Sequence, residues 1–528
     1  MAKPGKKSSS KKSAPRKLSQ SRSASKRAKS AKATQGVTAP VRRSAATSAA
    51  GSGGTVRIRF YCQGIGDCHL LRFEQSDRPF WMLIDCGIHS SVPGGTQKIR
   101  DIVDNILTLT RRLDVIVLTH EHWDHNSGFF SAQDKFKQFD VGEIWLGWTE
   151  NAADPQAREL DKFKGEAIKA LQGASQRLDR AQGLTSFLAS AQQGLHAVLG
   201  FNFGAQGEKV RSARDAAIAL APRDKVRYLE PKNDPFELPV GPKMRVYVLG
   251  PPRDKALLGV ADRASEMYGI DQSSMAPVVS ALNNSFAVGD GNDEIWDDET
   301  APFDPNEGFV LSELMAAPAG ASTNDDDRVP RERTSKLVHD VYSAKDQWRR
   351  IDSDWLGVSA DLAIQIDKRT NNSSLVLAFE FIETNRVMLF VGDAQIGNWL
   401  SWEGVKWKIG DKMISAHDLL ARTVFYKVGH HGSHNATAKQ KGLELMTSAD
   451  LAAFIPTNQV DAKNVHWGQM PFGPLLDELK KRTLKRVIRA DDPWLKQPDG
   501  QPDFATTSGA IKGLKRAPDG LWVELEIA

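Results

Sequence analysis

Residues Leu118–Gly128 read LTHEHWDHNSG, a stretch that sets His120, His122, Asp124 and His125 in an HxHxDH spacing directly after an apolar run. The whole chain has twelve histidines in 528 residues, and three of them stand here. Imidazole nitrogens and carboxylate oxygens suit Zn²⁺ and related divalent ions. A chain leaving a strand can turn such side chains toward one point. The plainer alternative is a surface cluster or satisfied core histidines, and the exact offsets at a strand exit argue against it.

Outward from this stretch, VIVLTH is a continuous apolar run that predicts a buried strand covered on both faces. Before it, QKIRDIVDNILTLTRRLD repeats Ile99, Ile102, Val103, Ile106 and Leu107 at helical spacing, with Arg111 and Arg112 where a helix C-terminus favours cations. TVRIRFYCQG, HLLRF and FWMLIDCG predict short strands from Thr55 onward, punctuated by Gly64, Gly66 and Gly87. GEIWLGW and KMRVYVLGPP add strands, as do SSLVLAFEFI, RVMLFVGDA and TVFYKVGHHGSH. SGAIKGLKRAPDGLWVELEI predicts a terminal hairpin turning at Pro518, Asp519 and Gly520. Two stretches interrupt this α/β pattern: a helical insertion over about 154–225 and a mixed one over about 253–368. The second contains residues 290–327, with twelve Asp or Glu and no Lys or Arg, a composition that predicts a flexible loop or lid.

Further donors stand just past apolar strands: Asp85 after FWMLI, Asp393 after RVMLFVG, and His430, His431 and His434 after FYKVG. Strand ends sharing a sheet edge can meet. That supplies ligands for two metals about 3.5–4 Å apart, an arrangement that activates water and clamps an ester. Lys427 is placed to neutralise a substrate phosphate, or else to lay its stem on the sheet with its head in water. Ser433 lacks serine-hydrolase companions. Cys68 and Cys86 read as small buried hydrophobes, and His69 and His89 as structural or exposed. Trp145, Trp148, Trp399, Trp402, Trp407 and Trp467 read as core or pocket wall.

IDCG, THEHWDH, VGDA and HHGS stand in an order that resembles the metallo-β-lactamase-fold hydrolases. CQGIGDCHLLRF, NNSSLVLAF and YKVGHHGSH bring the chain nearest to the ComEC-type hydrolase domain and phosphorylcholine-esterase-like members. The resemblance covers most of residues 55–528. It implies a four-layer αββα sandwich and a two-metal centre, with Zn²⁺ first and Mn²⁺ as the alternative. It further implies that His120 and His122 hold the first metal, Asp124 and His125 the second, and that Asp393 bridges both. Asp85 then orients the motif loop from behind or touches the metal-bound water. The family's separate histidine before the bridging aspartate has no evident counterpart, since His196 and His339 fall in the insertions. His430 or His431 is therefore expected to complete the first site or to act as general acid. The last histidine of the family pattern is also displaced: Gln469 and Met470 stand there, and His466, slightly earlier, is the substitute. Without it a mononuclear site becomes the expectation. Asp124, Asp393 and His431 are the implied catalytic set.

Residues 1–54 carry fourteen Lys or Arg and no Asp or Glu, so the net +5 of the chain leaves the remainder near −9. Such a segment cannot bury enough apolar surface to order itself. It reads as a disordered arm for nucleic acid or another polyanion, or as a solubilising extension. MAKPGKKSSS has no apolar stretch behind its charge and is not a secretory signal, and no window is apolar enough for a membrane span. With only Cys62, Cys68 and Cys86 in the chain, a cytoplasmic location without structural disulfides is expected. The functional expectation is a metal-dependent hydrolase of phosphodiesters, nucleic acid included. The alternatives are a non-nuclease esterase, lactonase or small-molecule phosphodiesterase, and a regulatory module with a degenerate metal site.

Overall fold

In β1 (Val56–Tyr61) the residues Val56, Ile58 and Phe60 are fully buried while Arg57 and Arg59 face the other way. That period of two makes one face of the strand a core surface. The computed structural model describes residues 54–75, 77–180, 208–260, 358–464 and 470–528, with isolated positions 192, 333, 336, 337 and 340. The basic tail up to residue 53, the acidic segment 290–327, His196, His339, His466 and Trp467 lie outside the described residues.

Along the chain follow β2 (Cys68–Phe73), β3 (Phe80–Cys86), helix α1 (Gly95–Leu109), β4 (Arg112–Val117), α2 (Trp123–Ser131) and β5 (Asp140–Gly147). The first insertion supplies α3 (Pro155–Arg180) and α4 (Glu208–Ile218) and returns through β6 (Val226–Leu229). Then come β7 (Phe236–Leu238), β8 (Met244–Gly250), α5 (Val358–Asn372), β9 (Val376–Phe381) and β10 (Arg386–Phe390). A small hairpin, β11 (Lys406–Ile409) and β12 (Lys412–Ser415), precedes β13 (Thr423–Lys427), β14 (Ala452–Ile455), β15 (Val487–Arg489), β16 (Ile511–Arg516) and β17 (Trp522–Ile527).

The fold is mixed α/β with two large mixed sheets. One has eight strands in the order β16-β17-β1-β2-β3-β4-β5-β6, the other seven in the order β15-β14-β13-β10-β9-β8-β7. In the first, β3 to β6 run parallel, and in the second β10 and β13 to β15 do. One apolar cluster contains residues of both, including Met82, Val115, Phe379, Met388 and Phe425. Phe60 of the first sheet stacks on Phe454 of the second, with ring centroids 4.2 Å apart. A second cluster joins Ile99, Ile102, Val103 and Ile106 of α1 to Leu83 and Ile116, and a third surrounds Trp399, Trp402, Leu419 and Leu479 with Leu389 and Tyr426. No helix of the described residues is long and apolar enough to cross a membrane.

One expectation changes. Helix α1 ends at Leu109, with Thr110 extended, so Arg111 and Arg112 do not sit on its last turn. Arg112 instead opens β4, where its guanidinium meets Asp114 at 3.0 Å and also pairs with Asp140. The continuously buried run Leu113–Val117 takes over there, and specific ion pairs hold the arginine better than a dipole does.

Candidate metal centre

β3 and β4 run parallel in one sheet, and β10 and β13 run parallel in the other, and the site draws on the C-terminal end of all four. Asp85 lies within β3, the HxHxDH loop follows β4, Asp393 follows β10, and His430 and His431 follow β13. Asp124, His125, Asp393 and His431 are all buried and bring one donor atom each within 4.8 Å of one another. His431 Nε2 is 2.8 Å from Asp124 Oδ2 and 3.4 Å from Asp393 Oδ2, and His125 Nε2 is 3.2 Å from Asp393 Oδ2. Beside this group His120 Nε2 faces His122 Nδ1 at 3.0 Å, with the His120 and His125 rings 4.2 Å apart.

Outer partners fix which nitrogen each ring turns inward. Asp85 accepts from Thr119 N at 2.8 Å, from the Thr119 hydroxyl at 2.6 Å and from His125 Nδ1 at 2.8 Å. Because that hydroxyl donates to Asp85, it accepts from His120 Nδ1, 3.1 Å away. His431 Nδ1 donates to the Pro456 carbonyl at 2.7 Å. His120, His125 and His431 therefore all direct Nε2 at the cluster, the arrangement by which carboxylates and carbonyls set the tautomer of metal-binding histidines. Asp85 sits behind the loop rather than in the four-residue group.

The backbone is bent to reach this geometry. Asp85, His430 and His431 have φ of 53°, 41° and 52°, a left-handed conformation costly for residues with a Cβ. The consecutive turn at His430 and His431 lets the His430 amide donate to Asp393 Oδ1 at 2.9 Å while His431 points inward. A Cβ on Gly87 would collide with the Asp124 carbonyl, so only glycine permits the loop after β3 to press on the motif.

Burial would push the Asp393 carboxyl up, but His125, His431 and Lys427 outweigh it and hold it well below the carboxylate range. Asp124 is likewise held down against burial by His125 and His431. Burial alone would lower the His125 ring, yet Asp393, Asp67, Asp124 and Asp85 raise it well above 6.5, and His431 is raised by Asp393 and Asp124. His120 and His122 go the other way: burial and neighbouring histidines depress His120 strongly, and burial takes His122 to about 3 despite Asp124. His120 and His122 are thus held neutral, whereas the carboxylates around His125 and His431 favour their protonated form, a positive charge that a cation at the cluster would replace. Asp124 Oδ1 is buried with no hydrogen-bond partner among the described residues, while His125 Nε2 and Asp393 Oδ2 are buried facing each other at 3.2 Å without a well-directed hydrogen bond. Such atoms are costly to bury unsatisfied and fit a cation as ligands.

His431 thus stands with Asp124, His125 and Asp393, whereas the sequence leads one to expect His430 or His431 to complete the first metal site beside His120 and His122 or to act as general acid. The His430 ring turns elsewhere: its Nδ1 lies 2.7 Å from Ser433 Oγ and 3.2 Å from Asn435 Oδ1, and its Nε2 3.4 Å from Asn371 Nδ2. His434 is exposed and packs edge-on to Phe472. Lys427 departs from both of its expected roles. Its ammonium is buried, pairs with Asp67, donates to the Gly392 carbonyl at 2.8 Å and lies 3.4 Å from Asp393 Oδ1. It supports Asp393 from within the protein and cannot meet a substrate from solvent. His89 and His69 are buried, and Trp145, Trp148, Trp399, Trp402 and Trp407 belong to the core.

Two residues escaped the sequence reading. Asp67 donates its amide to the Asp124 carbonyl at 3.0 Å, accepts from the Gly87 amide at 2.9 Å and holds Lys427. Its signal was present: like Asp85 it stands at a strand junction, after Gly64 and Gly66 at positive φ. Glu121, in the middle of the motif, turns away from the cluster to Lys164 of α3 at 2.8 Å and Arg214 of α4 at 3.3 Å. Nothing in local spacing announces partners so far along the chain. No family model matches this chain, and no curated protein matches it.

Proposed function

We propose that this protein is a metal-dependent hydrolase of esters, with phosphodiesters as the leading substrates and a four-layer αββα architecture like that of metallo-β-lactamase-fold enzymes. The observation that carries the proposal is the convergence of Asp124, His125, Asp393 and His431 from two sheets into one buried group, with His120 and His122 alongside. His120 and His122 would hold one divalent ion and Asp124, His125 and His431 a second, with the Asp393 carboxylate contributing to the group. Zn²⁺ suits this nitrogen and oxygen set best, with Mn²⁺ the alternative. When bound, such ions lower the pKa of water and offset charge on an ester oxygen.

The chain's own groups do the rest. Asp85 and Thr119 lock His125 and His120, the Pro456 carbonyl locks His431, and the His430 amide and Lys427 hold Asp393 Oδ1 so that Oδ2 faces the site. With Nδ1 committed to a carbonyl, His431 would act through Nε2, which lies beside Asp124 and Asp393, as a ligand or as a general acid. Around the cluster the buried carboxylates are Asp67, Asp85, Asp124 and Asp393, and Lys427 neutralises one of them. Two divalent ions would turn the remaining charge slightly positive, which suits an anionic phosphodiester. The fourteen cations of residues 1–54 support a polyanionic substrate or partner such as nucleic acid.

The test is hydrolysis by purified protein with Zn²⁺ or Mn²⁺ across DNA, RNA, small phosphodiesters, carboxylic esters and lactones. A His122→Ala, Asp393→Asn double variant should be inactive, and equal activity in that variant would overturn the proposal. A second reading, a small-molecule esterase or phosphodiesterase, is favoured by one observation: α3 and α5 wall a narrow cavity beside the motif.

A further inference from the structure

Three histidines of the metal centre take their outer partners from the sheets or from the turns that leave them: Thr119 after β4 for His120, Asp85 in β3 for His125, and the Pro456 carbonyl after β14 for His431. His122 is the exception. Its Nδ1 faces His120 Nε2 at 3.0 Å, so its Nε2 points out of that half of the centre, and there Asp367 Oδ1 of α5 stands 3.8 Å away. That separation is long for a hydrogen bond and short enough for an ion pair, so what Asp367 supplies is charge. A carboxylate behind an imidazole raises the basicity of the nitrogen that binds a metal.

Asp367 is itself aimed. Asn371, one turn further along α5, is fully buried and donates from Nδ2 to Asp367 Oδ2 at 3.2 Å, which leaves Oδ1 toward His122. The same amide nitrogen lies 3.4 Å from His430 Nε2, and the Ser374 hydroxyl, just past the helix, accepts from the Asp393 amide at 3.0 Å. One short segment, residues 367–374, thus meets the motif loop and the loops after β10 and β13.

The first insertion reaches the same motif loop through Glu121, the residue between His120 and His122. Its buried carboxylate meets Lys164 of α3 at 2.8 Å and Arg214 of α4 at 3.3 Å, and Arg214 is held in turn by Glu150 at 3.0 Å. Buried pairs of this kind are costly to part. Helices α3 and α5 also pack against each other, so the two insertions act on the loop as one support.

We propose that the insertion helices form a metal-linked clamp on the His120 and His122 half of the centre. Asp367 is a positioning residue for His122, Glu121 is the handle by which α3 and α4 hold the loop, and a divalent ion in that half tightens the docking of these helices in return. Reciprocity follows from linkage: if docked helices raise the affinity for the ion, the bound ion favours the docked helices by the same factor. The other half, with His125 and His431 held by Asp85 and Pro456, stands outside the clamp. The clamp rests on the metal reading of the site and needs no choice of substrate.

Chelator competition on the full-length protein reads zinc affinity with and without the clamp. Asp367→Asn keeps the shape and removes the charge, and Glu121→Gln cuts the tie to Lys164 and Arg214. Each should weaken one of two bound zinc ions about 10–100-fold and leave the other within roughly twofold, whereas Asp367→Glu, which keeps the charge, should bind as the parent does. Added to a His120→Ala, His122→Ala protein, neither substitution should weaken the remaining zinc further. Hydrogen exchange reads the reciprocal effect: zinc should slow exchange in peptides of α3 and α5 in the parent protein and not in the His120→Ala, His122→Ala protein. Circular dichroism equal to the parent would establish that the variants are folded. Equal weakening of both ions, weakening that persists without His120 and His122, or exchange in α3 and α5 indifferent to zinc overturns the clamp and leaves the metal reading in place. A parent protein that binds no zinc overturns the metal reading, and the clamp falls with it.

Discussion

Replacing Lys427 with Met removes one positive charge from the interior while keeping most of the side-chain volume. The ammonium is 1% exposed, pairs with Asp67, bonds the Gly392 carbonyl at 2.8 Å and lies 3.4 Å from Asp393 Oδ1. At an effective dielectric constant of about 20, one pair at that separation is worth roughly 5 kcal/mol. Desolvation of the ammonium in the parent protein offsets part of this. The variant would leave two buried carboxylates without their cation, and loss of one partner of a buried pair costs about 3–5 kcal/mol. Urea unfolding of chelator-treated protein should therefore show an unfolding free energy lowered by that amount, read as a midpoint shifted by that energy divided by an unchanged slope. Two controls sharpen the test. Adding Asp67→Asn to Lys427→Met should recover about 2 kcal/mol relative to the sum of the single changes, because the orphaned carboxylate is gone. Zinc should also reduce the penalty, since a divalent ion beside Asp393 replaces the missing charge. A loss under about 1 kcal/mol, or strict additivity, would refute the reasoning.

Asp85→Asn removes the acceptor that holds His125 Nδ1 and the Thr119 hydroxyl, and zinc affinity measured by chelator competition should fall about 10–100-fold. Unchanged affinity would show that Asp85 does not orient the loop. Glu121 is held at about 2, with Lys164 and Arg214 overcoming its burial, against 4.5 in the unfolded chain. Its contribution is thus fully present above about pH 4.5 and lost as pH falls toward 2, so Glu121→Gln should flatten the acid limb of stability in that window. An identical acid limb in the variant would contradict the ion network. Deleting residues 1–54 should abolish retention on a polyanion column at low salt while leaving chelator-resistant zinc unchanged. Retention that survives the deletion would place the polyanion contact elsewhere.

The strands and the motif donors were legible because each has a local signature. Period-two burial marks β1, apolar runs mark β4 and β10, and aspartate or histidine at or within a few residues of a strand's end marks Asp85, Asp393 and His431. Direction was less legible. Two adjacent histidines carry the same signal, and only the left-handed turn at His430 and His431 sends one ring inward and the other to Ser433 and Asn435. Lys427 misled because burial of a lysine depends on a partner, and Asp67 lies 360 positions earlier. The end of α1 was misjudged because Arg111 and Arg112 suit either a helix terminus or a strand start, and the continuously buried run from Leu113 decides it. Residues 290–327 and His466 lie outside the described residues.

Metal stoichiometry bears most directly on the central claim. Purified full-length protein, saturated with zinc and freed of loosely held ions, should carry two per chain by elemental mass spectrometry. His120→Ala with His122→Ala should retain one, and Asp124→Asn with His431→Ala should retain one at most. A parent chain that holds no zinc, or the same zinc content in all three proteins, would contradict the account.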